Sequence, residues 1–161
     1  MGWGEFLLKG VLIGAGGTVL MDLWAVFLAL AFGHPKANWA PVGRWFGHLS
    51  RGTVFHADIG QAASFPQESA LGWAGHYAVG ILYGILLVFM TGSSWLAAPT
   101  LLPALAWGIV TVAAGWFLLQ PGLGLGMAAS KLPNPNRVRL LNLAAHVAFG
   151  LGLWITALVI A

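Results

Sequence analysis

The chain has 161 residues, of which 59% are hydrophobic and only 7% are charged, and its mean hydropathy is +0.85. Soluble domains carry about a quarter charged residues, so this chain lacks the side chains that would cover a water-soluble fold. Its seven Lys and Arg residues are scattered, which excludes a continuous nucleic-acid-binding face, and the absence of Cys excludes disulfides and thiolate metal sites.

Four long apolar runs predict helices at approximately 6–32, 70–90, 100–119 and 140–160. Each run is long enough to cross about 30 Å of hydrocarbon at about 1.5 Å per residue. A backbone in lipid must satisfy its own hydrogen bonds, and the runs lack the alternation of barrel strands. We therefore predict an all-α polytopic membrane protein, with one transmembrane domain over 1–161 that forms a four-helix bundle. Its two long loops are 33–69 and 120–139.

The first predicted helix carries an ionisable residue, Asp22, near its middle. An unpaired carboxylate is costly in hydrocarbon, so this group should be protonated or should face a partner inside the bundle. Small residues share its face and would let another helix approach closely: Gly10, Gly14, Gly17, Thr18 and Ala25. Two interpretations stay open, namely a proton-binding or ligand-pairing carboxylate and a hydrogen bond that locks two helices.

The loop 33–69 contains a short amphipathic segment with apolar residues at helical spacing: Val42, Trp45, Phe46 and Leu49. The pattern predicts an interfacial helix on the inner leaflet, the alternative being an irregular loop packed on the bundle. The loop also carries polar residues that we expect, together with Gln120, to form a lid or cytoplasmic mouth: His34, Arg44, His48 and Glu68.

The second and fourth helices share an A-x-H-x-A-x-G pattern around His76 and His146. Each histidine lies about two turns, or on the order of 10 Å, inside the end of its helix. Metal or haem ligation, proton transfer and plain interhelical hydrogen bonding are the three interpretations of this pair. Since the histidines lack zinc-like spacing, cofactor and metal content stay open.

The segment that follows the third helix is rich in glycine, from Gln120 to Gly126. Glycine density suits an anion-cradling loop, but the spacing matches neither the dinucleotide fingerprint nor the P-loop. A tight re-entrant turn that glycine permits is the favoured interpretation.

The charges are sorted between the connections. Six of the seven basic residues lie in the two long loops or at the start of the fourth helix: Lys36, Arg44, Arg51, Lys131, Arg137 and Arg139. The connection 91–99 carries none, and Lys9 is the one exception to the pattern. The positive-inside rule therefore predicts that both long loops are cytoplasmic and that both termini are external.

Several short motifs together resemble an uncharacterised family of small bacterial inner-membrane proteins, the domain of unknown function, family 2938. They are Met21-Asp22-Leu23-Trp24, Gly33-His34-Pro35, Asn38-Trp39, Val42-Gly43-Arg44-Trp45, Gly47-His48, Gly75-His76-Tyr77, Gln120-Pro121-Gly122 and Arg137. The resemblance covers nearly the whole chain. It implies a four-helix protein of the bacterial inner (cytoplasmic) membrane without an assigned activity, and it transfers no catalytic residues.

Taken together, these patterns predict a polar ligand or proton site in the cytoplasmic half of the bundle, built from Asp22, His76, Asn142 and His146. The leading hypothesis is a small transport or ligand-binding module that is embedded in the lipid bilayer and self-associates. The alternatives are an accessory subunit of a larger membrane complex and a haem or metal redox protein that uses the two histidines. No Ser-His-Asp or paired-carboxylate motif can be assembled, so an enzyme is the less favoured class and no catalytic residues are assigned.

Overall fold

A computed structural model describes residues 2–161, and all regular secondary structure in this range is helical. The α-helices in chain order are α1 Trp3–Phe32, α2 Ala40–Leu49, α3 Glu68–Ala97, α4 Leu101–Gly122 and α5 Pro135–Ile160. Short 3-10 turns occur at Ile59–Gln61 and Met127–Ala129. All of these helices except α2 are long and apolar enough to cross a membrane, which confirms the all-α polytopic fold.

The spanning helices extend beyond the apolar runs, because helical hydrogen bonding continues into the polar residues that flank the hydrocarbon. At the end of α1, Gly33 takes a left-handed conformation (φ 66°) and its N–H bonds to the Leu28 carbonyl. Inside α3, Gly92 has φ 74° and kinks the helix, which then continues to Ala97. The predicted connection 91–99 is therefore mostly helical.

Near its end, α4 contains a π-helix at Gly115–Leu119, where the N–H of Gln120 bonds to the Gly115 carbonyl. Pro121 follows directly. Proline has no N–H, and its ring crowds the carbonyl four residues earlier, so an ordinary α-helical turn is disfavoured at this point. The wider turn gives α4 a local bulge of the kind that often occurs at functional sites.

One compact unit of the chain comprises the described residues up to Lys36, together with Tyr77–Thr111 and Leu143–Ala161. Its core is apolar and includes Ile13, Leu87 and Leu153. Glycines bring its helices into close contact: a Cβ added at Gly14 would lie 2.5 Å from the Gly80 carbonyl oxygen. The small-residue stripe of the first helix therefore serves contacts within this chain.

The surface of this unit is strongly apolar. Leu30 is 81% exposed, Leu102 is 75% exposed and Val159 is 79% exposed. Many other large apolar side chains among the described residues are exposed as well, as is typical of helices that face lipid. In a hydrocarbon environment these exposed apolar side chains contact lipid and carry no hydration penalty.

The other compact unit comprises Ala37–His76 and Val112–Asn142, and it contains α2 and both long connections. The two connections are hydrogen-bonded to each other. The N–H of His56 donates to the Gly122 carbonyl and the N–H of Ile59 donates to the Leu123 carbonyl, both at 3.1 Å. These hydrogen bonds hold the two connections together, and the side of the membrane that they face stays a prediction.

The helix predicted in the first loop is present as α2. Its residue Trp45 is buried against Ile59 and Leu123, and its indole N–H donates to the Val54 carbonyl at 2.7 Å. Phe46 packs so closely on α3 that a Cβ added at Gly75 would collide with its ring. The apolar face of α2 therefore packs against protein, and the position of α2 at the membrane interface stays a prediction.

Candidate functional site

Asp22 of α1 is hydrogen-bonded to the second spanning helix, α3. The Tyr77 hydroxyl donates to Asp22 Oδ2 at 2.9 Å, and both side chains are half-buried. Asp22 precedes the end of α1 by ten residues and Tyr77 follows the start of α3 by nine. At about 1.5 Å per residue, each lies on the order of 14 Å inside its helix. A phenol is thus one companion of this carboxylate.

Sequence reasoning did not select Tyr77 as a site residue. The chain has two tyrosines, and a phenol inside a spanning helix needs a hydrogen-bond partner because lipid supplies none. Tyr77 and Asp22 each need a hydrogen-bond partner inside the bundle, and this shared need could have predicted the pair from the sequence.

His146 of α5 is held by α4. Its Nδ1 lies 3.0 Å from the Thr111 hydroxyl and 3.1 Å from the Gly108 carbonyl oxygen, and that hydroxyl donates to the same carbonyl at 2.6 Å. A carbonyl only accepts, so Nδ1 carries a proton, and Nε2 is the acceptor in the neutral ring. The two helices approach closely here because Gly108 of α4 faces Gly150 of α5. A Cβ added at Gly108 would lie 2.6 Å from the Gly150 Cα. The imidazole is therefore fixed in orientation by α4.

His76 lies in an aromatic environment. Its ring stacks on Trp39, with centroids 4.0 Å apart and an interplanar angle of 24°. Trp73 meets it edge-on at 6.0 Å. The residue that precedes α2 and the start of α3 are thereby joined through rings, and the His76 imidazole is held in one orientation.

Asn142 of α5 accepts two hydrogen bonds from α4. Its Oδ1 receives the Gln120 amide Nε2 at 2.9 Å and the Trp116 indole N–H at 3.2 Å. Gln120 is nine-tenths buried. The structure thus joins one predicted site residue, Asn142, to one predicted mouth residue, Gln120.

Arg44 and Glu68, two other predicted mouth residues, form a bidentate ion pair. The Arg44 guanidinium donates to the two carboxylate oxygens at 2.7 and 3.0 Å. Its remaining terminal nitrogen donates to three carbonyls of the first loop at 3.1–3.3 Å: Ile59, Gly60 and Ala62. The hydrogen bond with Glu68 raises the pKa of Arg44, so the guanidinium stays charged. This pair fastens the first loop to the start of α3.

The remaining two predicted mouth residues differ in their surroundings. The Nε2 of His48 lies 2.9 Å from the Ala63 carbonyl oxygen, and its ring is 5.0 Å from that of His56. His34 follows α1, is half-buried, and its N–H donates to the Leu28 carbonyl. Neither position tests whether these residues form a lid, which stays a prediction.

The four predicted site residues divide between the two compact units. Asp22 and His146 belong to the first unit, whereas His76 and Asn142 belong to the second. Their joint action as one site stays a prediction. Within residues 2–161, no group of three or more His, Asp or Glu side chains is placed to hold a metal ion.

A family model described as "Protein of unknown function (DUF2938)" matches residues 11–160, which is nearly the whole chain. No curated protein and no solved structure matches it. The family match agrees with the resemblance carried by the sequence motifs. It adds no substrate or reaction, so the chemistry has to be argued from the site itself.

Proposed function

The chain belongs to the protein family of unknown function DUF2938, and we propose that it is a small membrane transport or ligand-binding module in which the Asp22–Tyr77 pair binds a proton. The observation that carries this proposal is the hydrogen bond from the phenol to the carboxylate inside two spanning helices. Ionisable groups at such depth are costly in lipid and are found mostly where protons, ions or substrates move.

The chemistry of the pair favours a proton site over a structural lock. A phenol donates to a carboxylate without bringing a full charge, so this hydrogen bond by itself does not fill the role of a counter-charge. Gln120 and Asn142 join α4 to α5 through neutral amides. A hydrogen-bonded pair of neutral side chains would hold α1 against α3 at a lower desolvation cost than a pair that contains the Asp22 carboxylate.

His146 supports the same reading from the same unit. Its helix packs directly on α1, since a Cβ added at Gly17 would lie 2.9 Å from the Phe149 ring. The imidazole is held in orientation by Thr111 and Gly108. A second ionisable side chain therefore lies on a helix adjacent to that of Asp22, and histidine is a residue type that commonly transfers protons.

Four helices seldom enclose a complete permeation path, so the proposal includes self-association. It also includes the inner membrane as location, with both long connections cytoplasmic and both termini external. The sorting of basic residues supports that orientation, as does the hydrogen bonding between the two connections.

The test is proton flux in vesicles that contain the purified protein and a pH-sensitive dye. The wild-type chain should dissipate an imposed pH gradient, Asp22→Asn should abolish this activity, and Tyr77→Phe should reduce it. Thr91→Val is the matched control, because its hydroxyl donates to the Leu87 carbonyl of its own helix, and it should behave as wild type.

Equal flux in wild type and Asp22→Asn would overturn the proposal, as would the absence of flux in the wild type. An inactive chain that copurifies stably with another membrane protein would instead favour the accessory-subunit hypothesis.

A further inference from the structure

Thr18 of α1 is a buried polar residue that lies one helical turn before Asp22. It is 1% exposed, and its hydroxyl donates to the Gly14 carbonyl of the same helix at 2.9 Å. Threonine is stiff about its first side-chain bond, because two heavy atoms branch from Cβ. The hydrogen bond to the preceding turn therefore holds the hydroxyl oxygen in one direction.

The Thr18 hydroxyl oxygen lies against the backbone of α3. A Cβ added at Gly80 would collide with this oxygen, and it would lie 3.6 Å from the Gly14 carbonyl oxygen to which the hydroxyl is bonded. The absence of a side chain at Gly80 thus leaves the gap that the hydroxyl fills. A side chain of α1 and a gap on α3 are fitted to each other at this point.

The contacts between α1 and α3 follow one another in antiparallel order within the first compact unit. In the order of α1, the contacting pairs are Gly10 with Ile85, Gly14 with Ile81, Thr18 with Gly80 and Asp22 with Tyr77. Successive pairs are four residues apart on α1, which is the spacing of side chains on one face of a helix. The contact of Thr18 with Gly80 is therefore adjacent to the Asp22–Tyr77 pair.

The hydrogen bond between Asp22 and Tyr77 requires a definite register of the two helices. It measures 2.9 Å, and O–H···O hydrogen bonds span only about 2.5–3.0 Å between their heavy atoms. A slide of α1 by one residue would move Asp22 by about 1.5 Å. Gly14 has no side chain that could oppose such a slide, whereas the Thr18 hydroxyl would have to leave the gap at Gly80.

We propose that Thr18 and Gly80 are positioning residues, which hold Asp22 and Tyr77 in hydrogen-bonding register. Both act through the relative position of α1 and α3, and neither is required to touch the proton that the pair binds. The expected effect on proton flux rests on the proposed function. The geometry of the Asp22–Tyr77 hydrogen bond can be measured without it.

Infrared spectroscopy of labelled tyrosine tests the register and requires no proton movement. The chain has two tyrosines, so Tyr83→Phe leaves Tyr77 as the one phenol. The C–O stretching band of isotope-labelled tyrosine reports whether this phenol donates to an acceptor. Asp22→Leu removes the carboxylate and gives the reference position of the band after the hydrogen bond is lost.

Two substitutions disturb the fit from opposite sides. Thr18→Val puts a larger methyl group in place of the hydroxyl, and Gly80→Ala fills the gap on α3. Both should move the Tyr77 band to the position seen in Asp22→Leu. Thr18→Ser keeps the hydroxyl and should leave the band at its wild-type position. Thr91→Val is the matched control, because it also removes a hydroxyl that donates to its own helix, and its band should be unchanged.

The proposal fails if the band is unchanged in both Thr18→Val and Gly80→Ala, or if Thr18→Ser moves it as far as Thr18→Val does. Unfolding in detergent, followed on the same samples, identifies variants that are not folded. Should Gly80→Ala be one of them, the comparison of Thr18→Val with Thr18→Ser decides.

Proton flux on the same variants separates this proposal from the proposed function. Thr18→Val should reduce flux to the level of Tyr77→Phe, and Thr18→Ser should retain the wild-type flux. A band that moves as expected in a protein whose wild-type form carries no flux would contradict the proton site and would support the positioning role. Wild-type flux in Thr18→Val together with an unmoved band would contradict the positioning role alone.

Discussion

At the scale of single residues, polar side chains of this chain are held by specific partners drawn from distant parts of the sequence. Arg44 meets Glu68 and Asp22 meets Tyr77, and Gln120 meets Asn142. The first pair is charged and fastens a loop, whereas the last is neutral and joins two helices. Asp22 is an ionisable residue inside a spanning helix, which is why we assign a function to it.

The Arg44–Glu68 pair should behave as one stabilising unit. Arg44→Ala and Glu68→Ala should each lower the thermal unfolding midpoint in detergent, since each removes the bidentate contact. The unfolding midpoint of the double variant should be close to the midpoints of the single variants, because either substitution alone already removes the whole ion pair. Arg44→Lys should also be destabilised, as lysine lacks the planar fork that reaches both Glu68 and the loop carbonyls. Additive losses would contradict this account.

The sequence predicted that Asp22 needs a companion, yet it did not identify Tyr77. Partner choice depends on how two helices are rotated and shifted along each other, and composition does not encode that register. The same limit applies to Arg44 and Glu68, which were predicted at one mouth but not as a pair. His56 was not selected, because its role depends on the fold of a loop around Gly122.

At the scale of elements, glycines decide how closely the spanning helices approach. Gly14 and Gly84 face each other between α1 and α3, and Gly108 faces Gly150 between α4 and α5. Without Cβ atoms at these positions, van der Waals contact and interhelical hydrogen bonds extend over a longer surface. The contact between Gly108 and Gly150 also brings His146 to the α4 carbonyl.

Gly84→Ala should weaken the contact between α1 and α3. The new methyl group would collide with the backbone of Gly14, which cannot move aside as a side chain can. Overpacking of this kind costs about 1–3 kcal/mol. Gly4→Ala is the matched control, because nothing lies within 4 Å of its added Cβ, and its stability should be unchanged or slightly raised. Equal stability of the two variants, measured by unfolding in detergent, would argue against this packing.

The four spanning helices and α2 were predictable because hydrophobic length and helical spacing are local properties. The extension of α3 past its glycine kink at Gly92 and the π-helix before Pro121 were not. Both depend on how a single residue perturbs the backbone of a helix that is held by its neighbours. The apolar face of α2 was identified correctly, while its protein partner, the side of α3 at Gly75, was not.

At the scale of the whole molecule, lipid is the solvent that explains the composition, the exposed leucines and the internal pairing of polar groups. The chain has no cysteine, which allows its topology to be mapped without background labelling. The predicted orientation places both long connections on the cytoplasmic side and the short connection between α3 and α4 outside.

A membrane-impermeant maleimide should therefore label single-cysteine variants of the short and long connections from opposite sides of the membrane. Ser94→Cys, which lies near the end of α3, should be labelled in intact cells. Thr53→Cys and Ser130→Cys, which are exposed in the two long connections, should be labelled after permeabilisation. Labelling of Thr53→Cys and Ser130→Cys from opposite sides would contradict the four-span topology, and a complete reversal would contradict the orientation.

The most direct measurement of the central claim is infrared difference spectroscopy of the reconstituted protein during a change of pH. The chain has four Asp and Glu residues, so the carboxyl region of the spectrum can be assigned with few variants. We predict a protonated-carboxyl band that appears on acidification, is absent in Asp22→Asn and shifts in Tyr77→Phe. A spectrum that is identical in wild type and Asp22→Asn would show that Asp22 does not exchange a proton and would contradict the claim.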